Sequence, residues 1–443
     1  MENFRKALTF NLVGYNSTNI KNKNSINNMR FQNVKGTRDF LPKDAIKFNK
    51  IVEIVKNTFE KYGFAPLYTP ALESFELLSA KGGLGEAVKN EIYYFKDKAN
   101  REIGLRFDLT MPLVRVFTSG KFILPFKRYQ IEKVWRYDEP QAFRWREFWQ
   151  ADIDIIGSPS VLADAECLAC VCECLEKLGF KDFYIRVNDR RIVESILEEM
   201  EMKDKKNDIM RIIDKLDRFG ENWVKKELGK LGIDAEKILK SLSLKELRKN
   251  GIKEKAKDLM ELLKYSKQFG FEKRLKIDPY LVRGLDYYTG LVYEVYLGGK
   301  VSCGGGGRYD NLIEAIGGQP TPATGISLGL DRIFENMKER NIFSETLPIP
   351  KVFVANVDEN VKVDAIKIAQ KLRKNNIPCE IDLTNKKFSK QLDYANAMEI
   401  PYVIIVGKEE LKARKFKLKD MRTNTQKTLK LEDIIRFLKG KFI

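Results

Sequence analysis

FKRYQIEKVWRYDEPQAFRWREFWQADIDII, residues 126–156, decides the fold. Two runs in it read as strands, Arg128–Arg136 and Arg146–Ile156, both rich in aromatic and branched residues. Between them Tyr137 to Trp145 is polar and holds Pro140, which interrupts a strand. The pattern predicts a long antiparallel hairpin with a mobile tip. An Arg on a strand facing a cleft binds phosphate in two-pronged fashion, and an aromatic ring one strand away stacks on a base. Arg136 and Phe148 stand at those places. A solvated sheet face would also place Arg and aromatics alternately, so the hairpin alone leaves the two readings even.

Working outward, Leu41-Pro42 introduces an amphipathic helix over Lys43 to Tyr62, with Ile51, Ile54, Val55, Phe59 and Tyr62 at helical spacing and Gly63 as its stop. Pro66 to Leu72 reads as extended. From about residue 190 to 272 the chain is rich in Lys, Glu, Leu and Ile without strand signal, and reads as a helical insertion. Strands return over Tyr287 to Leu297, followed by the cluster Gly304 to Gly307. That cluster taken alone would be a flexible turn. Thr324 to Leu330 alternates small and apolar residues, as a closely packed strand does, and leads into a helix at Asp331. Arg332 at that helix start needs a partner if it is buried, and a phosphate or a stacked base would serve.

Leu347-Pro348-Ile349-Pro350 reads as a linker. Beyond it come an apolar run at Val352–Val357, a helix at about Val361–Asn375, a strand at Cys379–Leu383, a helix at about Phe388–Met398 and a strand at Tyr402–Val406. This alternation predicts a separate small α/β domain over 351–443. The whole chain has 443 residues and a net charge of +18. Residues 351–443 contain 21 Lys/Arg and 12 Asp/Glu, so +9, about half the total in roughly a fifth of the length. That asymmetry favours a nucleic-acid-binding module over uniform codon bias. Arg414-Lys415-Phe416-Lys417 adds an aromatic residue among the charges.

Composition excludes several chemistries. The chain has no histidine, which rules out a Ser-His triad, a His general base and any His metal ligand. Catalysis must use Arg, Tyr, carboxylates or the substrate itself. Four of the six Cys are Cys167, Cys170, Cys172 and Cys174. Without a second Cys pair at ligand spacing they read as small apolar positions of a helix, not a metal site. Cys167, Cys170 and Cys174 share one face, and Cys172 lies off it. Free thiols fit a reducing, cytoplasmic compartment. No stretch approaches the ~20 apolar residues that span a bilayer. Residues 1–28 are Asn-rich with Glu2 as their only acid, and read as a disordered tail or as sequence ahead of a start at Met29.

The helix and Pro-containing strand near the start, the hairpin, and Gly325-Ile326-Ser327-Leu328-Gly329-Leu330-Asp331-Arg332 resemble, in order and spacing, the three motifs of class II aminoacyl-tRNA synthetases. Val282-Arg283-Gly284-Leu285-Asp286-Tyr287-Tyr288-Thr289-Gly290 and Ser302-Cys303-Gly304-Gly305-Gly306-Gly307-Arg308-Tyr309-Asp310 resemble the two signatures of the histidyl-tRNA synthetases. Gly36-Thr37-Arg38-Asp39 and Leu105-Arg106-Phe107-Asp108-Leu109-Thr110 match as well. The similarity runs from about Asn33 to Ile443. It implies an α+β catalytic domain over 29–345, built on a class II synthetase-type antiparallel sheet flanked by helices, with the helical insertion inside it. It also implies a C-terminal α/β anticodon-binding domain and a homodimer built on the first motif.

The resemblance implies ligands and roles. ATP would be bound in a bent form, Arg136 on its α-phosphate and Phe148 and Arg332 on either side of the adenine. Mg²⁺ would arrive through ATP. Asp108, Thr110 and Gln150 would hold the α-amino group of L-histidine. Asp154 and Tyr288 would read the imidazole, Tyr287 would line the pocket, and Arg283 would face Arg136 across the α-phosphate. The product would be histidyl-adenylate, then histidine on the 3′ end of tRNA(His). Three residues depart from the pattern: Phe143 where the loop commonly has Gly, Trp149 where His or Tyr is frequent, and Asp138 in place of Glu. A bulky residue at Phe143 changes which backbone shapes the loop tip adopts. Two readings compete. A non-catalytic histidine sensor of this fold would share the amino-acid pocket but lack the C-terminal domain and signature residues. A general nucleic-acid-binding protein would explain the charge and leave the pocket residues without a purpose.

Overall fold

The computed structural model describes residues 31–80, 91–243, 256–283, 287–299, 302–343 and 349–442. The strands along these residues begin with β1 (Ala65–Pro66), β2 (Leu72–Ser74), β3 (Tyr94–Lys96), β4 (Glu102–Leu105), β5 (Phe126–Trp135) and β6 (Glu147–Ile156). It continues with β7 (Tyr184–Asp189), β8 (Leu275–Ile277), β9 (Leu291–Tyr296), β10 (Ser302–Arg308) and β11 (Ala323–Gly329). After residue 349 come β12 (Val352–Asn356), β13 (Cys379–Ile381), β14 (Tyr402–Val406), β15 (Phe416–Asp420) and β16 (Thr425–Leu429). The residue 1–28 tail, Gly284-Leu285-Asp286 and Leu347-Pro348 lie outside the described residues.

The hairpin forms as its pattern predicts. β5 and β6 pair antiparallel in unbroken register from Phe126 opposite Ile156 to Trp135 opposite Glu147. Its tip closes through a bridge between Gln141 and Arg144, and Phe143 takes the left-handed backbone with φ 62°. The position that commonly holds Gly therefore demands a Gly-like conformation here, and Phe143 adopts it at a cost of about 1 kcal/mol or more.

Around the hairpin an eight-stranded sheet runs β1-β5-β6-β11-β10-β9-β7-β8. The pairs at its two ends, β1 with β5 and β7 with β8, are parallel, and those between are antiparallel. One face is covered by helices. The helix Pro42–Lys61 starts with Pro at its first turn, where the missing N–H costs nothing, and buries Phe48, Ile51, Val55 and Phe59. The helix Val161–Lys177 is capped by the Ser160 side chain and lies under the sheet centre, with all four of its Cys buried and free. Cys172, off the shared face, is buried too because the helix Lys257–Phe269 covers its other side.

Three segments depart from the sequence reading or lie outside it. The run Tyr184–Asp189, unassigned from the sequence, is the last strand but one of the sheet, and β8 pairs with it at the edge from Leu275. Strand β9 begins at Leu291, four residues later than Tyr287. The Gly304–Gly307 cluster is the middle of β10, not a turn. The stretch 190–272 is helical among its described residues, and its Ile209, Met210, Val224, Leu228 and Ile238 join the same core as the sheet.

The C-terminal sheet runs β13-β12-β14-β15-β16, parallel over its first three strands and antiparallel over the rest. The helices Lys362–Lys374 and Leu431–Phe442 belong to one apolar cluster and Phe388–Ala397 to another, on opposite faces. Parallel strands covered on both sides must be apolar on both, and every residue of β12 and β14 is buried. The hairpin β15–β16 and the last helix carried no recognised signal. Phe416 is 7% exposed and packs in the core, so the expectation of a ring interleaved with surface charge fails. It sits at a strand position whose inward side is fixed by alternation.

Candidate active site

The site lies on the sheet face away from the Cys-bearing helix. Three adjacent strands supply its floor. On β6 the side chains of Gln150, Asp152 and Asp154 share one face, because strand side chains alternate. Opposite them in register stand Glu132, Gln130 and Arg128 on β5, and Gly329, Ser327 and Gly325 on β11. The next strand, β10, is nearly bare. A Cβ at Gly305 would collide with the Arg283 guanidinium, at Gly307 with the Tyr288 ring, and at Gly325 with the Asp154 carboxylate. The glycines are thus required by close approach: functional side chains from other elements lie flat on them.

Two adjoining cavities open on this floor, of about 540 and 280 Å³. The first is lined by Asp108, Thr110, Gln150, Asp154, Tyr287 and Tyr288, together with Arg136 and Arg283. The second is lined by Phe148 and Arg332, again with Arg136 and Arg283. Every residue given a binding role from the sequence therefore borders one or both. Asp108 is held at the start of the helix Thr110–Ser119, where its Oδ1 accepts from the Met111 N–H at 3.1 Å. Tyr287 and Tyr288 stack against each other with centroids 4.4 Å apart. Arg136 donates to the Phe107 carbonyl at 2.9 Å and lies 5.3 Å from the Phe148 ring. Arg332 donates to the carbonyls of Phe143 at 3.0 Å and Ser302 at 2.6 Å, and so ties the hairpin tip to β10.

The two cavities differ in charge. In the first, Asp154 is bridged to the fully buried Arg128 at 2.6 Å and accepts a hydrogen bond from the Tyr309 hydroxyl. Burial pushes the Asp154 carboxyl up, with Arg128 and Tyr309 opposing. Burial raises Asp152 to about 7, opposed by Arg128 and reinforced by Asp154. The hydroxyls of Tyr287 and Tyr288 are pushed up by burial and stay protonated. In the second cavity cations gather. Burial pushes the Arg332 guanidinium down, and Arg136 and Arg144 push it the same way. For Arg283 burial disfavours the charge, but Glu294 at 3.4 Å, Tyr288, Asp214 and Tyr287 together outweigh it and raise the guanidinium. Arg283 holds φ 46°, a backbone conformation that a non-Gly residue keeps only when its surroundings impose it.

Several contributors carried no assigned role in the sequence. Arg128, Asp152 and Tyr309 complete the floor, and Glu294 and Ser327 border both cavities. The available signal was alternation: Arg128, Gln130 and Glu132 repeat every second residue along β5, on the face opposite Tyr129 and Ile131. Arg186, Asp217 and Arg218 reach the rim of the first cavity from beyond the hairpin. Other motif residues prove structural. Arg38 bridges Asp331 at 2.7 Å and lies over Trp145, locking the hairpin to the helix Leu330–Glu339. Arg106 donates to the Thr69 carbonyl at 2.6 Å and pairs with Glu132 at 2.8 Å. Arg308 is buried against Asp164 and the carbonyls of Ser158 and Ser160. Among the described residues no cluster of three or more His, Cys, Asp or Glu side chains has metal-binding geometry, and no helix is long and apolar enough to cross a membrane.

Comparison with known proteins gives the same picture. Residues 36–333 match the family model described as histidyl-tRNA synthetase, and residues 351–441 match an anticodon binding domain. The histidine–tRNA ligase of Clostridium tetani is 40% identical over 432 residues, covering 91% of this chain and 97% of the relative. That of Pyrococcus furiosus is 36% identical, covering 92% and 99%. The crystal structure of histidyl-tRNA synthetase from Nostoc sp. PCC 7120 superposes with a TM-score of 0.80 at 29% identity, over 94% of this chain and all of that one. With the two signatures on one sheet face and matches that span both of its folded parts, this chain belongs to the histidyl-tRNA synthetase family.

Proposed function

We propose that this chain is a histidine–tRNA ligase, which activates L-histidine with ATP and transfers it to the 3′ end of tRNA(His), and that its two cavities divide the work. The carboxylate-lined cavity takes the amino acid and the arginine-lined cavity takes the nucleotide. The observation that carries this reading is that Arg136, Arg144, Arg283 and Arg332 all line the second cavity, where burial first, and Arg136 and Arg144 next, push the Arg332 guanidinium down. A polyphosphate relieves that repulsion.

Asp108, Thr110 and Gln150 hold the α-ammonium, to which a carboxylate and two oxygens are suited. Asp154 and Tyr288 satisfy the two imidazole nitrogens, with Tyr287 packed alongside. A buried site of this kind rejects amino acids of similar size that leave its polar groups unpaired. Phe148 and Arg332 hold the adenine between them. Arg136 and Arg283 flank the α-phosphate, neutralise it against the incoming carboxylate and stabilise the charge added in the transition state. Holding both reactants in one cleft supplies much of the remaining acceleration. Asp138 and Glu294 line both cavities and are the carboxylates that would hold a Mg²⁺ ion carried in by the nucleotide, which would supply positive charge for the leaving pyrophosphate. In the second step the ribose 3′-hydroxyl attacks the acyl-adenylate carbonyl, the mixed-anhydride C–O bond breaks and AMP leaves. The chain has no histidine, so the proton passes to an adenylate phosphate oxygen or to the substrate imidazole.

The catalytic unit spans 29–345 and the anticodon-binding unit 351–443, whose excess positive charge suits the tRNA backbone. The protein works as a homodimer in the cytoplasm. ATP–pyrophosphate exchange measured with each amino acid in turn tests the central claim. Exchange stimulated by histidine is expected, and stimulation by another amino acid but not histidine overturns it.

A further inference from the structure

We infer that the helical insertion reaches into the cleft through a continuous polar chain, in which Asp217, Arg186 and Tyr296 are positioning residues that hold Glu294 against the Arg283 guanidinium. The inference rests on the reading of Arg283 as a partner of the α-phosphate and goes beyond it, because that reading by itself gives Asp217, Arg186 and Tyr296 no part in the reaction.

Strand register lays the chain out. Glu294 on β9 stands opposite Gly305 on β10 and opposite Arg186 on β7, so all three share one face of the sheet. That face is the cleft, since each of them lines the first cavity. Tyr296, two residues along β9 from Glu294, points the same way and lines it too. Gly305 carries no side chain, and the Arg283 guanidinium lies in the space its Cβ would fill. Arg283 is thereby set beside Glu294, at 3.4 Å.

Each link has hydrogen-bond or ion-pair geometry, and donors match acceptors. Arg186 Nη1 donates to the Tyr296 hydroxyl at 3.0 Å and to Asp217 in the short insertion helix Leu216–Phe219. That nitrogen has two protons, and both are used. Arg186 Nε donates to Asp278, just beyond β8, so the guanidinium is fixed from a second side. A guanidinium only donates, so the Tyr296 hydroxyl accepts from Arg186 and gives its single proton to Glu294 Oε2, at 3.0 Å. Glu294 is held at that oxygen and turns Oε1 to Arg283 Nη1. Arg283 needs such an anchor, because its backbone at φ 46° persists only where the surroundings impose it. Charge alternates along the whole chain, from the Asp217 carboxylate through Arg186 and Glu294 to Arg283.

Tyr296→Phe removes one hydroxyl and keeps the ring that stacks on Tyr184. Histidine-dependent ATP–pyrophosphate exchange by the full-length protein is measured for Tyr296→Phe, for Arg283→Ala and for the two together. Tyr296→Phe alone is expected to lower kcat roughly tenfold, the size of a lost hydrogen bond to a charged acceptor, with the KM for histidine near its original value. In the Arg283→Ala background it is expected to cost nothing further, because the group it positions is gone. Asp217→Asn is expected to show the same dependence on Arg283 with a smaller loss, about twofold to threefold, since Asp217 is exposed and an exposed ion pair contributes little. Its surface position lets it carry the test if Tyr296→Phe does not fold. Equal losses with and without Arg283 would make these residues merely structural, and a full rate in either single variant would break the chain; either overturns the inference. A full rate in Arg283→Ala itself would instead overturn the reading of Arg283 on which the inference stands.

Discussion

The two sheets of this protein treat charge in opposite ways. The five-stranded C-terminal sheet is apolar on both faces along its central strands and displays its excess Lys and Arg outside. The eight-stranded sheet covers one face with apolar helices and buries Arg128, Gln130, Gln150, Asp152 and Asp154 toward the other. Buried charge is costly unless paired, so a fold keeps it only where a ligand or a partner completes the pairing. Under the proposed function, the difference separates a surface suited to attract a large polyanion at long range from a cleft suited to a small zwitterion and a nucleotide at contact distance. It also predicts that the same kind of substitution will have different consequences in the two sheets.

The largest expected effect is on stability, in the C-terminal sheet. Phe416→Ala removes a core ring and is expected to cost about 3–5 kcal/mol in that domain, measured by urea unfolding, while histidine-dependent exchange at low denaturant is retained. An unaltered unfolding curve would mean that Phe416 is not a core residue. Next comes the phosphate side of the cleft. Arg283→Ala is expected to lower pyrophosphate exchange at least ~100-fold, as loss of a transition-state charge partner does, with little change in melting temperature. Unchanged exchange would remove the role given to Arg283.

Gly325→Ala tests the amino-acid side by steric means alone. Its Cβ would meet the Asp154 carboxylate, so the KM for histidine is expected to rise about tenfold or more, the size of a displaced hydrogen-bond partner, while the KM for ATP stays near its original value. A rise in the ATP value alone would mean that the two cavities do not divide the substrates in this way.

The smallest effect should be a gain. Asp152 has its folded pKa raised from 3.8 to about 7, chiefly by burial. Between those values the folded chain holds a proton that the unfolded chain has released, so this group makes folding less favourable as pH rises. Arg128, Asp154 and Asp108 are the charged groups that act on it. Asp152→Asn is therefore expected to raise the melting temperature by a few degrees at pH 8, and the gain should shrink as pH falls toward 4. A gain that grows toward acid would reverse the sign and exclude burial as the dominant cause.

Much of this was legible beforehand for a physical reason. The hairpin, the first helix and the α/β alternation after residue 351 are periodic, and periodicity reports which side of an element faces a core. Arg136, Phe148 and Arg332 acquired their expected nucleotide roles only through the family resemblance, because an alternating sheet face would place Arg and aromatic residues in the same pattern. The misreadings share a different cause. Gly304–Gly307 looked like a turn because a strand of glycines has no pattern of its own; what makes it a strand is the set of side chains lying on it. Phe416 looked exposed because its neighbours are charged, and strand alternation turned it inward.

The sequence by itself determined the kinds of element, the two-part organisation, the family resemblance and the absence of any protein histidine for acid–base work. Only the tertiary structure decided which charges meet. Arg128 and Asp154, Gln150 and Ser327, Arg283 and Gly305 are each far apart in the chain, and strand register or close packing makes them neighbours. Hydrogen bonds and ion pairs act over a few ångströms, so the balance of charge in the cleft arises only once those strands have paired.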